Sequence, residues 1–237
     1  MKLQEIQAFK QISTPTIATF LFKKGLKNQC IQGIQPVHNV KESMIGFAFT
    51  LRYIPAREDL NSIKAFQDPK HPQRVAIETC PEDSVLVIDS RKDASAASAG
   101  DLLITRLKMR GAQGIVTDGG FRDSKAIHDL EFPTYHQRPS APTNLTKHQA
   151  IDINLPVSCG DVAVFPNDLL VGDQDGVIVI PNHLIQETLE ETKKMTIYEK
   201  FVQKQIFEGK SIIGLYPLTK PELFQEELDT YIENFVW

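Results

Sequence analysis

An α/β fold is predicted by three features of the sequence. Short apolar runs, "SVLVIDS" (84–90) and "GIVTDG" (114–119), read as buried strands. Stretches with helical character, "AASAGDLLITRLKMRG" (96–111) and "RDSKAIHDL" (122–130), alternate with them in the rhythm of βαβ units. Beyond residue 150 the pattern changes to short strands broken by Gly, Pro, Asp and Asn, and then to one long amphipathic helix over 183–208. The expected architecture is a single α/β domain over residues 1–237. It has βαβ units around a central sheet, a hairpin-rich second half and a long C-terminal helix.

Taken in order, residues 3–24 predict a helix in two pieces. Leu3, Ile6, Phe9 and Ile12 mark the first. Ser13-Thr14-Pro15 supplies a cap and a first-turn proline to the second, which ends near Gly25. "MIGFAFTLRYI" (44–54) predicts a strand with Phe47, Phe49 and Leu51 on one face. The polar stretch 58–74, closed by prolines, predicts a short helix and then a loop, and with the 136–148 loop it is expected to wall any pocket. Gly111 stops the 96–111 helix, and "FPTYHQ" (132–137) is extended. "DINLPVS", "GDVAVF", "DLLVGD" and "GVIVIP" predict hairpins, with "GDQDG" (172–176) as a hairpin turn rather than a calcium loop. The tail from 211 is expected to wrap or dock.

Composition narrows the function classes. The chain is 41% hydrophobic and 24% charged, as soluble globular proteins are. A net charge of -4 gives no field that would gather nucleic acid, so no nucleic-acid partner is expected. Cys30, Cys80 and Cys159 are far apart and in no CxxC spacing, which fits a reducing compartment. The amino terminus lacks the apolar core of a signal peptide, and no apolar stretch approaches the roughly 18 residues of a membrane span. A cytoplasmic protein without a membrane partner is expected. The six histidines show no HExxH-like pairing, and neither a G-x-S-x-G elbow nor a phosphate-binding P-loop is present. His136 and His148 flank the polar loop "QRPSAPTN" and are expected at the surface, with a pocket lining as the alternative.

Two loop-helix junctions carry candidate chemistry. In "SAASAGDLLI" (95–104), small residues before Gly100-Asp101 leave backbone N–H groups free at a helix start, where carboxylate or phosphate binds. Asp101 could equally cap its own helix. "TDGGFRD" (117–123) follows a strand and lies where open α/β sheets place ligands. Arg122 offers a planar fork for a carboxylate, and Asp123 a hard oxygen for Mg²⁺. A solvated Arg–Asp pair at a helix start is the alternative. Because each aspartate follows a proposed strand, both can sit on one rim of the sheet. That set suits a 2-oxo acid, its carbonyl polarised by a metal and its carboxylate held by Arg and N–H groups.

"AGDLLITRLKMRGAQGIVTDGGFRD", with "MIGFAFTLR" upstream and "DINLPVSCGDVAVFPNDLLVGDQDGVIVIP" downstream, resembles the class II pyruvate aldolases acting on 4-hydroxy-4-methyl-2-oxoglutarate. That family also includes the regulator of ribonuclease activity A. The resemblance covers most of residues 14–210. It implies that Asp123 carries Mg²⁺ or Mn²⁺ and that Arg122 binds the pyruvate carboxylate and supports the enolate. It further implies that Asp101 holds metal-bound waters and that the amides around Gly100, Leu102 and Leu103 complete the carboxylate cradle. A glutamate from a neighbouring subunit's C-terminal helix, best matched by Glu199, reaches the site in the aldolases, and a homotrimer or homohexamer is implied. The aldolase pattern has an acidic residue three positions after the metal aspartate, where this chain has Ala126.

The function expected is therefore a metal-dependent lyase of small 2-oxo acids, cleaving a 4-hydroxy-2-oxo acid to pyruvate or decarboxylating oxaloacetate. The alternatives are a non-catalytic protein-binding regulator of ribonuclease activity and a dehydratase-type enzyme of sugar-acid catabolism.

Overall fold

The computed structural model describes residues 2–237. The two N-terminal pieces differ in kind. Leu3–Gln11 winds as a 3₁₀ helix, because Leu3, Ile6, Phe9 and Ile12 recur every third residue and only a three-residue turn stacks them on one face. Helix α1 (Thr14–Lys23) is capped by Ser13, whose Oγ accepts from the Thr16 amide, and the chain turns away at Gly25 with φ +88. A two-residue strand β1 (Gln35–Pro36) precedes the long β2 (Met44–Pro55). Residues 58–74 depart from expectation. A 3₁₀ turn spans Ile63–Gln67, and α2 (Pro72–Thr79) begins where a loop was expected, Pro72 opening the helix rather than ending it.

Strand β3 (Ser84–Asp89) is followed by a three-residue strand, β4 (Ala97–Ala99), and then by α3 (Asp101–Met109). The helix expected over 96–111 thus loses its first turn to a strand. Next come β5 (Gly114–Thr117), β6 (Gly120–Phe121), α4 (Ser124–Asp129), β7 (Thr134–His136) and β8 (Arg138–Pro139). Then follow β9 (His148–Ile153), β10 (Val157–Cys159), β11 (Val162–Val164), β12 (Leu169–Asp173) and β13 (Gly176–Ile180). Helix α5 (Ile185–Phe207) and the docked tail helix α6 (Gln225–Glu233) complete the chain.

The central eight-stranded sheet runs β1-β7-β5-β3-β2-β12-β13, with β9 also on β2. Strands β2, β3, β5 and β7 are parallel, as βαβ units require, whereas β12, β13 and β9 are antiparallel additions. Two of the expected hairpins form, β10–β11 and β12–β13. The "DIN" segment instead extends β9, which pairs with the far half of β2.

Both faces of the sheet are covered, so β3 is buried throughout and its side chains divide by alternation. Leu86 and Ile88 meet Ile77, Ile104, Leu107 and Ile127 from α2, α3 and α4. Val85 and Val87 meet Val157, Val162 and Val164 from the β10–β11 hairpin. At the other edge, Leu169, Val171, Ile178 and Ile180 face α1 and α5. Beyond this core, Phe201 and Val202 of α5 pack with Leu215 and with Leu228 of α6. No helix among the described residues is long and apolar enough to cross a membrane.

Candidate active site

The two junctions singled out from sequence are brought together by a second, small sheet rather than by the rim of the central one. Strands β4, β6 and β8 form it, all parallel. Because β4 and β6 run side by side, with Ala97 opposite Gly120 and Ala99 opposite Phe121, their carboxyl ends coincide. The next residues, Gly100-Asp101 and Arg122-Asp123, must then be neighbours. The Arg122 amide donates to the Ala99 carbonyl at 3.2 Å. The Asp101 amide lies 3.4 Å from Asp123 Oδ2, and Arg122 Nε lies 3.3 Å from the same oxygen.

This closeness explains Gly100. Its backbone is extended, at φ -124 and ψ -179, so no unusual conformation demands glycine. Space does. A Cβ there would stand 2.6 Å from Asp123 Oδ2 and 2.9 Å from Arg122 Nε. The glycines of "TDGGFRD" act likewise, since neither has a positive φ. A Cβ on Gly119 would meet Ser90 and Ser98 at 2.6 Å, and one on Gly120 would meet Ser140 at 2.7 Å. They let the small sheet lie close upon its neighbours. The positive φ belongs to Asp123, at φ 62 and ψ 39, a conformation that Asp tolerates through its short polar side chain.

The other aspartate of the motif is a staple. Asp118 is buried and accepts from the amides of Ser90 (2.7 Å), Lys92 (3.1 Å) and Gly160 (3.2 Å), joining three chain segments. Burial pushes its pKa up, and the backbone donors oppose that shift. Beneath the site the hydroxyls of Ser90, Ser98 and Thr117 bond one another at 2.7–3.0 Å. Phe121 is fully buried, with its ring stacked on His136 at 5.7 Å between centroids.

An open cleft of about 440 Å³, mouth included, lies over the α3 amino terminus. Gly100, Asp101, Leu102, Leu103 and Arg122 line it, and Asp123 adjoins them through its contact with Asp101. Gly100, not Asp101, is the cap residue of α3; Asp101 opens the helix, and its Oδ1 accepts from the adjacent Leu102 amide at 2.8 Å. The Arg122–Asp123 pair is half exposed, as the solvated-pair alternative requires, while Arg122 also lines the cleft. Glu199 lies elsewhere in this chain, on α5, where its Oε2 accepts from Thr16 Oγ1 at 2.7 Å. Ala126 is exposed on α4.

Further lining comes from the two segments expected to wall the pocket: Phe66, Gln73 and Arg74 from 58–74, and Thr143 and Asn144 from 136–148. Gln73 Nε2 donates to the Ser98 carbonyl at 2.7 Å and to Tyr53 Oη at 3.0 Å, anchoring β4 to α2. The expectation for the two loop histidines is corrected. His136 and His148 are buried, each stacked on an aromatic ring, and neither lines the cleft. Nothing in the local sequence pattern distinguishes them from surface residues.

The donor set can be weighed against a metal. Among the described residues no three His, Cys, Asp or Glu side chains converge as a metal cage. Asp123 does present an accessible carboxylate beside a cleft. One carboxylate with water in the remaining positions is how Mg²⁺ is commonly held, so the residues fit a hard divalent cation.

A helix amino terminus and an arginine thus share one cleft of an α/β scaffold, with a carboxylate adjoining it. The family description Aldolase/RraA matches residues 14–179, and the chain belongs to this RraA-like family. A protein of Halalkalibacterium halodurans that carries the provisional name 4-hydroxy-4-methyl-2-oxoglutarate aldolase is 32% identical over 211 residues, which is 89% of this chain and 92% of that protein. A protein of Aromatoleum aromaticum with the same provisional name is 32% identical over 127 residues, 53% of this chain and 78% of that protein. Among solved structures, Streptomyces coelicolor RraAS2, described as an unusual member of the RNase ES inhibitor RraA protein family, superposes with a TM-score of 0.76. It is 24% identical, covering 86% of this chain and 97% of its own, and shows the fold.

Proposed function

We infer that the protein is a divalent-metal-dependent carbon–carbon lyase of small 2-oxo acids. Its reaction is cleavage of a 4-hydroxy-2-oxo acid to pyruvate, decarboxylation of oxaloacetate, or both. One observation carries this reading: the β4–β6 pairing sets the α3 amino terminus, Arg122 and Asp123 side by side at one cleft. The provisional aldolase names of the relatives support it.

In this reading Asp123 would hold Mg²⁺ or Mn²⁺. A cation so placed polarises the 2-oxo group and stabilises charge that develops there as the carbon–carbon bond breaks. The Leu103 amide and the Arg122 guanidinium bind the substrate carboxylate, fixing the 2-oxo group beside Asp123, while the Asp101 and Leu102 amides hold the Asp123 and Asp101 carboxylates in place. Arg122 also meets the charge of the pyruvate enolate, the product of either cleavage. Asp101 holds a water for proton return to the enolate carbon. In a homotrimer or homohexamer, Glu199 of a neighbouring copy would serve the same relay. Exposed apolar residues on α3, Leu102 at 77% and Met109 at 73%, offer surface for such a neighbour to cover.

Oxaloacetate decarboxylation assayed with Mg²⁺, with EDTA, and in the variant Asp123→Asn tests the reading. Asparagine suits the left-handed backbone at this position, so the scaffold is kept while the charge is lost. Chelation and substitution should each lower kcat/KM by about 100-fold or more. Undiminished activity in Asp123→Asn would remove the metal-ligand role. No turnover of any 2-oxo acid by intact, metal-loaded protein would favour the ribonuclease-regulator alternative instead.

A further inference from the structure

A second cavity, of about 950 Å³ with its mouth included, opens at the other end of α3 from the active cleft. It lies at the amino ends of three parallel strands, where Met44 opens β2, Gln113 precedes β5 and Pro133 precedes β7. Val40 and Pro133, half-buried, and the edges of Ala112 and Phe132, 6% and 4% exposed, give it an apolar lining. Met44 and Ile45 back that lining as core residues. Met44, Ile45 and Phe132 each belong to a different hydrophobic cluster, so the cavity marks the seam between them. Apolar walls with a few polar groups above them are the usual make-up of a small-molecule site.

The rim is basic. Lys10 pairs with Glu42 at 2.9 Å and Lys41 with Glu131 at 2.6 Å. Lys108 also lines the cavity, and among the described residues no carboxylate lies within ion-pair distance of it. Its Nζ donates to the Leu130 carbonyl at 2.6 Å, which occupies one of three N–H groups. The Glu131 carboxyl is held below the usual carboxylate range, first by Lys41 and then, against the opposing effect of burial, by His38 and Lys108. One carboxylate is thus shared among two lysines and a histidine. The Glu42 and Glu131 side chains are 69% and 65% exposed, and ion pairs so open to water contribute little. They leave the lysines free to turn to another anion. The rim therefore carries more positive charge than its own acids balance.

We propose that this cavity is a second binding site, for a small organic acid whose carboxylate meets Lys108 and Lys41 and whose apolar body lies on Val40, Pro133 and Phe132. The inference does not depend on the 2-oxo acid reading. Lys108 gives its remaining N–H groups to the carboxylate, and Lys41 turns towards it from Glu131. The apolar walls and the lysine stems cover the body of the molecule, which supplies affinity without regard to charge. Lys108 supplies the preference for an acid. Because the active cleft stands at the opposite end of α3, both sites can be filled together.

The test is calorimetric binding of 3-phenylpropionate, with 3-phenylpropan-1-ol as the uncharged match and acetate as the anion without a body. It is run at constant ionic strength on the full chain and on Lys108→Met, Glu131→Gln and Arg122→Met. The intact protein should bind the acid about tenfold or more tightly than either control. Lys108→Met keeps an aliphatic stem and should bring the acid down to the level of the alcohol, whose own affinity is unchanged. Glu131→Gln removes the competing carboxylate and should tighten the acid about threefold, a gain that misfolding cannot produce. Arg122→Met, in the active cleft, should leave acid binding as it was. No binding of the acid, or equal affinity for acid and either control, would overturn the site. So would a preference that survives Lys108→Met, an equal loss of acid and alcohol in that variant, or no gain in Glu131→Gln. A loss in Arg122→Met would also overturn it, by placing the acid in the active cleft.

Discussion

Gly100 illustrates how much of this site depends on a single missing carbon. Its φ and ψ suit alanine, and the atoms a Cβ would strike belong to the Asp123 and Arg122 side chains. Those side chains can swing aside, so Gly100→Ala should fold with nearly unchanged stability. The cost falls on geometry. With the carboxylate and guanidinium displaced by an ångström or so, kcat/KM for a 2-oxo acid should drop by roughly 100-fold. Steady-state kinetics beside a thermal melt would check this. A large fall in melting temperature, or unaltered kinetics, would contradict it. Arg122, Asp123, Asp101 and Gly100 were legible in the sequence because each sits at a junction whose type the pattern announces. Gln73, Arg74 and Asn144 were not. Their segments, 58–74 and 136–148, were expected to wall the pocket, but which residues do so follows only from the packing of α2 and the 143–146 loop against β4.

Among the elements, the joint between α1 and the β12–β13 hairpin depends heavily on one residue. Asp173 Oδ2 accepts from the Thr14 amide at 2.8 Å and Oδ1 from the Thr14 hydroxyl at 2.7 Å, while the Asp175 amide also reaches Oδ1 at 2.9 Å. One carboxylate thus orders the start of a helix and the turn of a hairpin distant in sequence. Asp173→Ala should cost about 2 kcal/mol of stability in urea unfolding, combining a lost cap with lost charged hydrogen bonds. A loss below about 0.5 kcal/mol would show that water replaces these contacts. The hairpin turn itself was readable from "GDQDG"; its grip on α1 was not. The alternation of strands and helices was readable because runs such as "SVLVID" are buried on both faces. Strands β4, β6 and β8, of two or three residues, are too short to carry a period. The Ala- and Ser-rich β4 therefore reads as the first turn of α3.

At the scale of the whole molecule, stability is coupled to pH through buried imidazoles. Burial pushes the His136 pKa down from 6.5 to about 4, and its Nδ1 has no partner among the described residues. A histidine whose folded pKa is depressed contributes fully above its unfolded value. That contribution is lost as the pH falls from 6.5 towards 4. Between about pH 7.5 and about pH 5 the loss should approach roughly 2 kcal/mol. His136→Phe keeps an aromatic ring against Phe121 and removes the titration. Unfolding free energies at the two pH values should therefore differ less in the variant by about that amount. Equal differences in both proteins would assign the acid sensitivity elsewhere, His148 being the next buried candidate, with its pKa lowered chiefly by burial.

The left-handed backbone at Asp123 has an evolutionary consequence. Few side chains are at ease there, and asparagine and glycine are foremost among them. Both lie one nucleotide change away from aspartate. The most accessible mutations at this position therefore remove the carboxylate while leaving the turn as comfortable as before. A lineage built on this scaffold can lose the carboxylate in one step without first passing through a poorly folded ancestor. The shape then remains intact and free for selection towards another use.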